Sequence, residues 1–141
     1  MGRWLHILLL LSLSSVPLSL ADGEIPMLLK LKAGVTPAKV VPEMLLGIQI
    51  VCSVFDHYGA DCIITSMHDG KHGVNSLHSR DGLCRAVDFR TKHLTLNTKD
   101  LLIGDIKEAL GENYDVVFEH AGEANEHLHA EYDPHILTTE V

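Results

Sequence analysis

Two short stretches of the chain hold the residue types that could do chemistry. The first, residues 76–90, reads S-L-H-S-R-D-G-L-C-R-A-V-D-F-R and puts His78 at the end of a polar loop and Asp88 inside an apolar run. A carboxylate in such a run is unfavourable unless something compensates its charge, because strand propensity and burial both act against it. A bound cation would compensate it, and an ion pair with Arg85 or Arg90 would do so too. The second stretch, residues 125–134, reads N-E-H-L-H-A-E-Y-D-P. On a strand, residues two apart share a face, so His127, His129 and Glu131 project together while Leu128 and Ala130 face the opposite way. A solvated edge strand would carry the same H-x-H pattern.

Taken together, the stretches supply two imidazoles and one carboxylate, the set a catalytic zinc ion uses while leaving its fourth position for water. Non-haem iron sites use the same three ligand types, but usually with the first His and the Asp one residue apart. Nine residues separate His78 from Asp88, which disfavours an iron oxygenase. Nine of the ten histidines lie beyond residue 21, so a histidine-rich domain without metal is the plain alternative.

The elements that must position these groups can be read from periodicity. Residues 27–32 alternate as a first strand, and Pro42-Glu43 opens a helix in which Met44, Leu45, Ile48, Val51, Cys52 and Phe55 recur at three- and four-residue steps. Gly59 ends it. Residues 61–66 read as a buried strand, followed by a Gly- and His-rich loop over 67–77. Residues 86–90 form another strand, Asn97 or Thr98 caps a second helix that stops at Gly111, and residues 114–119 and 127–132 are strands. The order β, α, β, β, α, β, β predicts an α+β layer, two main helices against a mostly antiparallel sheet.

The 141 residues leave room for one domain. Residues 1–21 carry Arg3, an apolar stretch and a closing Ser-Leu-Ala, which reads as a cleaved secretory signal; an uncleaved anchor is the alternative. The domain then spans 27–141, is secreted or periplasmic, and keeps no stable membrane insertion. Loss of the signal removes Arg3 and no acid, moving the formal charge from −8 to about −9. An acidic chain without clustered Lys and Arg excludes nucleic acid as a partner. Cys52, Cys62 and Cys84 make an odd number with no C-x-x-C spacing; one bridge plus one buried thiol is an alternative, and Cys52 and Cys62 read first as small core residues.

The segments S-L-H, G-L-C-R-A-V-D-F-R and E-H-L-H-A-E-Y-D-P resemble the zinc signature of the superfamily of D-alanyl-D-alanine carboxypeptidases, phage endolysins and hedgehog N-terminal domains. The resemblance runs over residues 27–134 and implies a hedgehog- or DD-peptidase-like fold. It implies His78, Asp88 and His129 as zinc ligands, Glu126 as general base and His127 as a partner of the oxyanion. Glu131 is the rival base, on the parity argument. His72, Ser76 and Arg90 would line the substrate side. The implied activity is hydrolysis of peptidoglycan peptides by a monomeric carboxypeptidase or endopeptidase; a non-catalytic zinc module of the hedgehog kind is the second reading.

Two departures matter. The family places six residues between the first His and the Asp, so three extra residues here must loop out around 79–84, bringing Cys84 near the site as a candidate thiolate. The arginine of the peptidases' S-x-Y-R segment is missing, since the matching stretch is T-S-M-H-D-G, and His72 or Arg90 would have to meet a substrate carboxylate.

Overall fold

The computed structural model describes residues 29–134, so the expected signal segment and the start of the first expected strand lie outside the described residues. The elements follow as β1 (Lys30–Leu31), α1 (Pro42–His57), β2 (Ile63–Ser66), a 3-10 turn (Arg80–Gly82), β3 (Ala86–Arg90), α2 (Leu96–Leu110), β4 (Tyr114–Glu119) and β5 (His127–Tyr132). The fold is α+β. Five strands lie in the order β1-β2-β3-β5-β4, antiparallel except for the β1–β2 pair. No helix of the described residues is long and apolar enough to cross a membrane.

Pro42 stands in the first turn of α1 and Glu43 beside it, where a missing N–H costs nothing and a negative charge meets the helix dipole. Met44, Ile48, Val51, Cys52 and Phe55 form its buried stripe, and Gly59 turns the chain at φ 63°. The second helix begins earlier than the expected Asn97 or Thr98. Its cap is Thr95, whose hydroxyl accepts from the Thr98 N–H at 3.2 Å. Thr98 spends its own hydroxyl on Thr95 at 2.8 Å, and so the last candidate in T-L-N-T joins the first turn instead of preceding it.

Both helices are held against one face of the sheet. Val87 and Phe89 of β3, Leu128 and Ala130 of β5 and Val116 of β4 are buried with Met44, Val51, Phe55, Leu102 and Ile106 in one cluster. Burying each of the larger side chains contributes about 1.5–3 kcal/mol. Strand alternation then sends Asp88, Arg90, His127, His129, Glu131, Val117 and Glu119 to the opposite face, where neither helix lies.

Cys52 and Cys62 are bonded, with Cα atoms 5.2 Å apart, which corrects the reading of two separate core thiols. The turn after α1 brings them together: the N–H groups of Gly59 and Ala60 bond back to Asp56 and Phe55, and the chain reverses directly into β2. Both residues are buried, as expected of core positions, yet the sequence alone does not show how tightly that reversal closes. The bridge ties the end of α1 to the start of β2.

Candidate metal centre

Asp88 sits in the middle of β3, directly opposite His129 of β5. His78 comes from the long loop between β2 and β3. Met67 anchors that loop by burying its side chain in the core, and its carbonyl accepts the Nδ1–H of His78 at 2.6 Å. Asp69 fastens the same segment by accepting from the N–H groups of Met67 and Thr36. The Arg85 N–H closes the loop onto the Leu77 carbonyl at 2.8 Å.

Three side chains from separate parts of the chain thus meet over the sheet. One ligand atom from each of His78, Asp88 and His129 lies within 4.8 Å of the others. Asp88 Oδ1 is 3.3 Å from His78 Nε2 and 2.8 Å from His129 Nδ1, and His129 Nε2 is 3.0 Å from Glu131 Oε2. Neither Arg85 nor Arg90 pairs with Asp88 in the ion pairs of this face; Arg85 meets Asp81 instead. Burial alone would raise the Asp88 carboxyl, but hydrogen bonds from His129 and His78 and the charges of His78 and His127 outweigh it and hold it far below the usual range. Burial would lower His129, and the hydrogen bonds and charges of Asp88 and Glu131 instead push it up to about 9.

The donor set fits a divalent cation of the nitrogen- and oxygen-binding kind. The Met67 carbonyl holds the Nδ1 proton of His78 and leaves Nε2 facing Asp88. Glu131 can take the Nε2 proton of His129 in the same way, leaving Nδ1 toward Asp88. An acceptor on the far nitrogen of each histidine is the outer arrangement that orients metal-bound imidazoles. Sequence reasoning put Glu131 on this face, as the rival base, through its parity with His129; its contact with the His129 ring is what the sequence did not show.

Glu126 lies off the ligand face. It has the parity of Leu128 and Ala130, and its carboxylate is taken by other partners. Oε1 accepts from Lys99 Nζ at 2.6 Å and from the Thr91 hydroxyl at 2.8 Å, and Oε2 accepts from the Gly122 N–H at 2.8 Å. The Lys99 hydrogen bond, helped by Gly122, Thr91 and the lysine's charge, overcomes burial and lowers the carboxyl to about 2. A carboxylate so held is a poor proton acceptor and a good tie between α2 and the turn before β5. Lys99→Met is therefore expected to cost about 3–5 kcal/mol, since one partner of a buried pair is left alone; urea melts measure it. The folded pKa of Glu126 lies below the ordinary 4.5, so its contribution is present above that pH and fades as pH falls toward 2. The acid limb of stability should be shallower in the variant.

His127 lies beside the triad, its Nε2 3.0 Å from Glu119 Oε2 and 3.6 Å from Asp88 Oδ1. His72 stacks on His78 at 4.2 Å between ring centroids, at the rim of the cluster. Ser76 accepts weakly from the His78 N–H at 3.4 Å and so supports the loop. Arg90 is exposed at the end of β3, opposite His127. Between His78 and Asp88 the chain makes the 3-10 turn Arg80–Gly82, with Asp81 and Gly82 at positive φ. Cys84 turns away from the triad into the core, where its thiol donates to the Ala86 carbonyl and burial pushes its pKa up. It joins none of the metal-capable groups of the described residues. A cavity of about 620 Å³ beside Val41, Arg80, Arg85 and Tyr132 contains none of the triad either.

No family model matches the chain, and the curated proteins and solved structures yield no match.

Proposed function

We propose that this chain is a zinc-dependent peptidase acting on the peptide bonds of peptidoglycan, as a carboxypeptidase or endopeptidase. The observation that carries the metal part is the meeting of His78, Asp88 and His129 within 4.8 Å. The peptide part is supported by the resemblance of S-L-H, A-V-D-F and E-H-L-H to the carboxypeptidase and endolysin signature. Bound zinc lowers the pKa of a coordinated water to about 7 and polarises a carbonyl.

The chain's own residues supply the rest. His78, Asp88 and His129 hold the ion, while the Met67 carbonyl and Glu131 fix the two rings. With Glu126 engaged by Lys99, proton transfer falls to Glu131, the ligand-face carboxylate beside His129. Arg90, on the same face, is the side chain available to meet a substrate carboxylate in place of the missing S-x-Y-R arginine. The Cys52–Cys62 bridge and the apolar leader both suit an exported protein, secreted or periplasmic.

The test is digestion of muropeptides by the zinc-loaded chain. Release of D-alanine or of cross-link fragments, abolished by a chelator, is the expected result. Absence of cleavage across D-Ala-D-Ala, L-Ala-D-Glu and cross-bridge substrates, with metal bound, would instead leave a non-catalytic zinc module. Glu126 favours that second reading, because the residue matching the peptidases' base serves here to hold α2.

A further inference from the structure

We propose that the same face of the sheet takes a second divalent cation, held by Glu119 and His127, with Asp88 shared between the two ions. The proposal rests on the triad reading through Asp88 and deepens it into a two-metal centre.

Strand register places the groups. Glu119 of β4 pairs with His127 of β5, one step along the same face from the Asp88–His129 pair. Nε2 of His127 is 3.0 Å from Glu119 Oε2 and 3.6 Å from Asp88 Oδ1. Its Nδ1–H donates to the Asn125 carbonyl at 2.7 Å, so a main-chain acceptor orients this ring just as Met67 orients His78. Two histidines of one cluster thus have the far nitrogen tied to the backbone and the near nitrogen aimed at carboxylate oxygens.

Glu119, His127 and His129 form a metal-capable group of their own, overlapping the first at His129. A ring nitrogen serves one ion, and the other nitrogen of His129 faces Glu131. A carboxylate has two oxygens and can bridge. Asp88 is the residue placed to do so, because its Oδ1 lies within 3.6 Å of nitrogens from His78, His127 and His129. Charge points the same way. Asp88, Glu119 and Glu131 put three carboxylates on that face, one more negative charge than a single dication carries, and hydrolases with two ions about 3.5–4 Å apart use both to hold the attacking and leaving groups. On this proposal His127 is a ligand rather than a donor to an oxyanion. The ligand types suit zinc, manganese or cobalt.

The experiment is the metal-to-protein ratio of the full chain saturated with zinc, read by elemental analysis after gel filtration. Two ions per chain are expected, falling to one in Glu119→Gln and in His127→Ala, and staying at two in Asp133→Asn, which alters the separate acidic group Asp115, Glu131 and Asp133. Wild-type saturation at one ion overturns the proposal, as does a second ion that survives both site variants. One ion that disappears in His78→Ala leaves the triad reading standing while this one fails; no bound ion removes both. Manganese loading of the wild type, which needs no variant to fold, gives a second readout. An exchange-coupled electron spin resonance signal supports the pair, and only isolated-ion signals at saturation refute it.

Discussion

Replacing His129 by alanine is expected to weaken zinc binding by more than about 100-fold, the upper cost of losing an outer hydrogen-bond partner alone. On the proposed reading the side chain removed is an inner ligand, and what remains at the triad is one imidazole and one carboxylate. His129 also lies on the helix-free face, while its neighbours Leu128 and Ala130 make the core contacts, so the sheet should survive the change. Thermal melting separates the two effects. Zinc should raise the melting temperature of the wild type by mass action and raise that of the variant clearly less. Equal stabilisation of both chains by zinc would remove His129 from the site.

A sharper contrast is expected between two glutamates five residues apart in the sequence. Glu131→Gln should reduce hydrolysis by about 10²–10⁴-fold, the range for losing a general acid–base group, while zinc affinity falls by about 10- to 100-fold through the loosened His129 ring. Assays at saturating zinc isolate the first effect. Glu126→Gln should do the opposite, lowering stability and keeping the activity of each folded molecule, because its partners are Lys99, Thr91 and Gly122. A Glu126→Gln chain that folds, holds zinc and fails to hydrolyse would return the base to Glu126.

The difference between those glutamates shows what a sequence can carry. Parity on β5 was legible, because H-L-H-A-E alternates cleanly and the strand runs over the expected residues His127–Tyr132. The same parity separates Glu126 from the ligand face, whereas a family position counted along the chain ignores it. The strands Ala86–Arg90 and Tyr114–Glu119 were equally legible, since their apolar residues have to alternate to meet a single helix layer. Contacts between distant segments were less so. The Lys99–Glu126 pair spans 27 residues and joins a helix to a turn, and no periodicity marks it. The Met67 carbonyl that sets the His78 ring is a backbone group, and a sequence shows no difference between one carbonyl and the next. Glu119 belonged to an unremarked strand end until β4 was laid against β5.

The strand order has a consequence for how the centre comes into being. β5 is last of the five along the chain and yet sits inside the sheet, between β3 and β4. As the nascent chain leaves the ribosome at about 5–20 residues per second, β3 and β4 emerge with nothing yet between them. Asp88 and His78 are already synthesised by then, but His129 is not. The candidate site is therefore complete only once the final strand lies between its neighbours, and a polypeptide interrupted before β5 lacks His127, His129 and Glu131 together.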